Sequence, residues 1–191
     1  LAADPAPLDA HLAALSQARF DALGRDAKLA FLINAYNALT VKLIVAHWPL
    51  ASIKDIPEAE RWKGERWTVA GRRVSLDLIE HGWIRKDFEE PRIHFALNCA
   101  SVGCPPLRAE AYTADRLERQ LDAAVRAIHR DPRWLRVEGA TVHLTRLYLW
   151  YEGDFGPDPL TFTRRYADIP VGAAVNWLDY DWRVNVSANA G

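Results

Sequence analysis

Leu8, Leu12 and Leu15 recur at helical spacing and predict an amphipathic helix from Leu8 to about Phe20. The next segment, Leu29–Trp48, is apolar on nearly every side, so it is expected as a central buried helix, N-capped by Asp26 and stopped by Pro49. It is about long enough to span a bilayer, but Asn34, Asn37 and Lys42 interrupt it, and a core helix is the expectation. Alternation in Arg66–Leu76 with a turn at Ala70–Gly71 predicts a hairpin, after which Ser75 caps a helix through about Trp83. Arg92–Leu97 alternates as a short strand would. Thr113 and Asp115 open a strong amphipathic helix to about His129. A second hairpin follows over Trp134–Leu144, turning at Glu138–Gly139. A helix capped by Thr145 runs through Tyr151, a short helix covers Leu160–Asp168, and Tyr180–Asn185 closes the chain as a strand. Helices dominate and strands are short, which predicts one α+β domain over residues 1–191.

Composition narrows the function classes. The 191 residues are half hydrophobic, so a sizeable core forms without staples or metals. A net charge of −1 argues against nucleic-acid binding. No transmembrane segment, cofactor or metal is expected, and the partner is an unidentified small molecule or peptide. The chain starts at Leu1 and contains no methionine, which fits a processed or trimmed chain, and a signal segment once removed would leave no trace.

Candidate chemistry centres on HFALNCASVGCPPL, His94–Leu107, which holds both cysteines, Cys99 and Cys104. Gly103, Pro105 and Pro106 make a continuous helix improbable and a bent loop the expectation. The pair could be a structural loop, a redox couple, or a nucleophile with a neighbour. A nucleophilic Cys99 needs a partner that stabilises its thiolate. On a strand, period two would send Ile93, Phe95, Leu97 and Cys99 to one face and His94, Ala96 and Asn98 to the other, making His81, at a helix end, the better partner. Glu80 is its neighbour in sequence, though adjacent helical residues diverge. Asn98 or backbone N–H groups would supply oxyanion donors. A zinc site from His81, His94, Cys99 and Cys104 has suitable ligand types but matches no common spacing. Ser101 lacks a nucleophile-elbow context. Cysteine, helix, then strand histidine (His143) is also the chain order of papain-like and transglutaminase-like enzymes.

Taken together, FLINAYNALTVKLI, SLDLIEHGWIR, PRIHFALNCASVGCPPL, WYEGDF and DYDWRVN resemble the family catalogued as domain of unknown function 547. The resemblance implies no settled activity. It places weight on Asn34, Tyr36, Asn37, Glu80, His81, Arg92, His94, Asn98, Cys99, Cys104, Trp150, Tyr151 and Asp154, and little on His143. Bacterial members of the family are often exported, and some animal relatives are fused to glutaredoxin-like modules; the resemblance therefore implies thiol chemistry and a chain exported to the periplasm or cell surface with its signal segment absent from this sequence. The expectation is therefore a thiol-dependent hydrolase or acyl-transferase with Cys99 as nucleophile and His81 or His94 as base. The alternatives are a thiol–disulfide redox protein using Cys99 and Cys104, and a non-catalytic binding module. Asn34, Asn37 and Arg92 are expected to bind or to position the cysteine loop.

Overall fold

The computed structural model describes residues 4–186. They form one helix-rich α+β domain with two small sheets, as the alternation of long helical and short extended patterns predicts. Helix α1 (Ala6–Ser16) packs on α2 (Arg25–Ala46), the central helix. Leu29, Leu32, Ile33, Leu39 and Leu43 on α2 are essentially inaccessible. By length and composition alone α2 could cross a membrane, yet here it is the spine of the first hydrophobic core. Its N-cap is Gly24 rather than Asp26, which lies two residues further in, in the first turn, where its carboxylate still favours the helix dipole. A short helix α3 (Glu58–Arg61) precedes the hairpin of β1 (Trp67–Val69) and β2 (Arg72–Val74). Its turn lies at Ala70 and Gly71, both at positive φ.

Past this hairpin the backbone departs from the expected pattern in a way that builds the site. Ser75 does cap, accepting the Leu78 N–H at 3.0 Å. The turns that follow are a seven-residue π-helix, Leu78–Ile84, continuing into α4 (Arg85–Phe88). His81 therefore sits in the middle of a helical stretch, and the dipole of a helix end does not act on it. A π-helix rotates less per residue than an α-helix, so the consecutive Glu80 and His81 both line one cavity instead of diverging.

Arg92–Leu97 is not a strand. Pro91–Phe95 is a 3₁₀-helix whose N-cap is Glu90, with Pro91 at its first turn. The apolar residues that alternate along it feed two different cores: Ile93 enters the one built on α2, while Phe95 enters a second, aromatic one with Tyr148, Phe155 and Phe162. Period-two parity therefore says nothing about His94 and Cys99. Helix α5 (Leu117–His129) starts two residues after Asp115 and lays Leu121, Val125 and Ile128 into buried positions.

The second sheet has the order β3-β4-β5. Strands β3 (Leu135–Glu138) and β4 (Thr141–Leu144) form the expected hairpin. Strand β5 (Ala174–Trp177), which the sequence pattern did not announce, joins β4 in parallel register. Short helices α6 (Leu147–Trp150), α7 (Glu152–Phe155) and α8 (Pro159–Thr163) connect β4 to β5. Tyr180–Asn185 is not a continuous strand. It makes isolated bridges, Ser52 with Arg183 and Ser101 with Val184, and so straps the cysteine loop from outside.

Candidate active site

The two cores meet at the 3₁₀-helix, and at that seam lies a cavity of about 170 Å³. Glu80 and His81 come to it from the π-helix, His94 from the 3₁₀-helix, and Cys99 and Cys104 from the loop that follows. The second core adds Leu147, Tyr151 and Tyr180, and the first adds Tyr36, Trp62 and Trp182. Residues more than a hundred positions apart thus share one wall.

The loop is held almost entirely by backbone and amide bonds. Asn37, buried on α2, donates to the Ala96 carbonyl at 3.0 Å and accepts the Asn98 N–H at 2.8 Å. The Asn98 side chain in turn accepts the Ala100 N–H and donates to the Pro105 carbonyl, both at 2.8 Å, closing the bend on itself. Asn34, one turn before Asn37, clamps Tyr112 the same way, through its carbonyl at 2.8 Å and its N–H at 2.9 Å. These asparagines hold backbone segments and do not line the cysteine cavity; an amide buried without such partners would cost about 1–3 kcal/mol. Arg92 also lies away from the cavity, in a cluster with Glu90, Glu118 and Asp122.

Ala100 adopts the left-handed conformation at φ 63°, a strained choice for a residue with a Cβ, stored next to the candidate nucleophile. The strap completes the bend: Val102 and Gly103 donate to the carbonyls of Arg183 and Asp181, both at 2.9 Å. Gly103 fits closely there: a Cβ would meet the Asp181 nitrogen at 3.0 Å and the Tyr180 ring at 3.1 Å, so the strap would have to give by a few tenths of an ångström.

Both cysteines are free thiols. The Cys99 sulfur meets the Tyr180 hydroxyl at 3.0 Å, and the Cys99 N–H donates to the Cys104 sulfur at 2.8 Å. A hydrogen bond from Cys104 pulls the Cys99 thiol down to about 7, against burial; Tyr180 and the backbone and hydroxyl of Ser101 add to the effect. Burial pushes the Cys104 thiol well up, so of the two it keeps its proton. The Ser101 hydroxyl is fully buried and has no conventional partner, which leaves it to the sulfur. Among the described residues no histidine nitrogen hydrogen-bonds Cys99.

The two cavity histidines, His94 and His81, are each held by another group. His94, 2% exposed, stacks on Tyr151 with ring centroids 3.7 Å apart. Its Nε2 meets Asp154 at 2.6 Å. Burial lowers the His94 pKa, only partly opposed by Asp154. Asp154 lies well below the usual carboxylate range: burial raises it, but hydrogen bonds from His94 and Arg85 win. The carboxylate can only accept, so Nε2 carries the proton of a neutral ring and Nδ1 is its acceptor. Arg85 grips Asp154 through Nε at 2.6 Å and Nη2 at 2.8 Å and donates from Nη1 to His81 Nδ1 at 2.9 Å. Asp77, His81, Arg85, Asp154 and His94 therefore form a continuous polar chain, of which Asp77, His81 and His94 line the cavity while Arg85 and Asp154 lie behind them, beginning with a 3.9 Å contact between Asp77 and His81. Glu80 faces Tyr151, whose hydroxyl is pushed far up by burial and by that carboxylate.

Of the residues singled out from sequence, Tyr36, Glu80, His81, His94, Cys99, Cys104, Trp150 and Tyr151 line the cavity. Asn37 and Asn98 brace the cysteine loop from outside, whereas Asn34 clamps Tyr112 and Arg92 sits in its acidic cluster away from the cavity. His143, on β4, pairs with Glu138 at 3.2 Å. Arg85, Tyr180 and Trp182 were not assigned a role from sequence. The one available signal was Arg85, four residues after His81 in a helical stretch, where side chains meet. Among the described residues no group of three or more histidines, cysteines and carboxylates is placed to hold a metal ion.

A family model described as "Protein of unknown function, DUF547" matches residues 20–127, more than half of the chain. The matched span includes Glu80, His81, His94, Cys99 and Cys104 and stops before Tyr151, Asp154, Tyr180 and Trp182. No curated protein and no solved structure matches. The distant papain-like or transglutaminase-like likeness read from chain order gains no support from them. The chain belongs to the DUF547 family.

Proposed function

We propose that this DUF547 member is a thiol-dependent enzyme of the hydrolase or acyl-transferase type, with Cys99 as its nucleophile. The observation that carries this is the sulfur of Cys99 set in the wall of a cavity, with its thiol shifted toward neutral pH, beside a buried His94 held by the half-buried Asp154. Cys104, Tyr180 and Ser101 hold the anion, so the nucleophile forms without a histidine partner. The thiolate adds to an ester or amide carbonyl, the bond to the leaving group breaks, and that group departs protonated by solvent, leaving a thioester. His94 Nδ1 then takes a proton from water or from an acceptor hydroxyl, whose oxygen attacks the thioester carbonyl and releases the thiolate. Asp154 orients the ring and stabilises the imidazolium that forms. The Tyr180 hydroxyl, bonded to sulfur in the free thiolate, is free to donate to the oxyanion once sulfur is acylated. Asn98 is not available for that role, since its amide is spent on Ala100 and Pro105.

Iodoacetamide labelling across pH tests the nucleophile. Cys99 is expected to react with an inflection near pH 7 and, at that pH, a few-fold faster than a peptide thiol, and Cys99→Ser to abolish the labelling. An inflection at the ordinary thiol value of about 8.5 would remove the basis for the proposal.

A second reading, thiol–disulfide exchange, is favoured by the same Cys104. A lowered attacking thiol with a raised, buried neighbour is the arrangement of an attacking and a resolving cysteine. Loss of two hydrogens in intact mass after incubation with oxidised glutathione, restored by reductant, would favour it; an unchanged mass would count against it.

A further inference from the structure

The walls of the cysteine cavity have a chemical bias of their own. Its aromatic part includes Trp62, Trp150, Tyr180 and Trp182, the last three in mutual ring contact at 4.5–5.6 Å between centroids. Its charged part consists of two carboxylates, Asp77 and Glu80, and among the described residues no lysine or arginine lines it. A nucleophilic thiolate adds a further negative charge. Such walls repel phosphates and carboxylates and attract cations, because the face of an aromatic ring is its negative part. The rings already receive cations within the protein: Lys54 Nζ lies 3.9 Å from the Trp182 centroid, and Arg85 lies over Tyr151 at 5.2 Å. Size limits the guest. A cavity of about 170 Å³ is smaller than the roughly 300–1,000 Å³ that holds a drug-sized ligand, so it takes one side-chain-sized group of a larger substrate.

Taking this cavity to be the substrate site of the thiol chemistry above, we infer that the substrate carries an organic ammonium group, which the Trp150–Tyr180–Trp182 cluster and the Asp77 and Glu80 carboxylates receive next to Cys99. Asp77 and Trp150 are partly exposed and stand where a guest enters, while Glu80 is buried deeper. The site therefore selects ammonium-bearing esters or amides over anionic ones.

The test compares choline with 3,3-dimethylbutan-1-ol, which has its shape without its charge, at matched ionic strength. Two readouts are used: intrinsic tryptophan fluorescence, and protection of Cys99 from iodoacetamide. Choline is expected to quench and to protect, and the neutral alcohol to do neither at the same concentration. Asp77→Asn should weaken choline binding by roughly three- to tenfold, and Trp150→Ala by a similar factor, both at positions exposed enough to leave folding intact. Equal effects of choline and the alcohol would mean an apolar slot and overturn the inference, as would no effect of either. If Cys99 proves unreactive, the fluorescence arm still reads cation binding, so failure of the catalytic reading and failure of this one remain separate results.

Discussion

Tyr180→Phe removes one oxygen from the site and little else. The ring stays, so its contacts with Trp150 at 4.8 Å and Trp182 at 4.5 Å are kept. What goes is the hydroxyl 3.0 Å from the Cys99 sulfur. A hydrogen bond to a charged group contributes about 1.5–3 kcal/mol, and one pKa unit corresponds to about 1.36 kcal/mol, so the thiol should rise by about one to two units. Starting near 7, the thiolate fraction at pH 7 falls from about one half to about 1–10 per cent. Nucleophilicity recovers part of this, since it grows with pKa with a Brønsted slope of about 0.4–0.5. The net result is alkylation slowed only about two- to sixfold at pH 7 but accelerated about three- to eightfold on the alkaline plateau. The diagnostic quantity is thus the inflection of the iodoacetamide pH–rate profile, checked by thiolate ultraviolet absorbance. Stability should follow the same linkage. The folded Cys99 pKa lies below the unfolded value, so its contribution is fully present above about 8.5 and is lost as pH falls through about 7. In Tyr180→Phe that dependence should flatten. An inflection that stays within about half a unit of wild type would refute the idea that Tyr180 holds the anion.

Gly103→Ala should act on the same sulfur without touching it: the new Cβ pushes the Tyr180 ring by a few tenths of an ångström, so the Cys99 inflection should move up, and an unmoved inflection in a folded variant would show that the ring does not set the bond. Asn37→Ala strands the Ala96 carbonyl and the Asn98 N–H, at about 1–3 kcal/mol for each unmet buried group; urea unfolding should show a loss of about 2–5 kcal/mol, and a loss under about 1 kcal/mol would mean water replaces the amide. Asp154→Asn leaves Arg85 and His94 without their anion. Asp154 and Arg85 keep some solvent contact while His94 does not, so a loss of about 1–3 kcal/mol near neutral pH is expected. Because the folded Asp154 pKa is depressed, its contribution is present above the ordinary carboxylate pKa of about 4 and is lost as pH falls through the folded value. The gap between variant and wild type should therefore close in acid, and a gap independent of pH would assign the effect to packing.

Local pattern was enough for the elements whose partners lie nearby. The buried helix carrying Asn34 and Asn37, the two hairpins, the amphipathic α5 and the bend between Cys99 and Cys104 are all set by apolar period, caps, glycine and proline within a few residues. The family, too, was visible in short blocks. Three features were beyond that reach. Alternation in Arg92–Leu97 is identical for a half-buried strand and for a 3₁₀-helix wedged between two cores, and only the presence of a core on each side decides between them. The π-helix at Glu80–His81 has no separate hydrophobic period to announce it. Strand β5 is short and half exposed, so its parallel pairing depends on β4 being in place. The same holds for the chemistry. The sequence determined that a cysteine bend lies near two candidate histidines, His81 and His94. That Cys99 is held by Tyr180, 81 residues later, and His94 by Asp154, 60 residues later, was decided by the packing of one core against the other, because hydrogen-bond partners so far apart are chosen by tertiary geometry and leave no periodic trace along the chain.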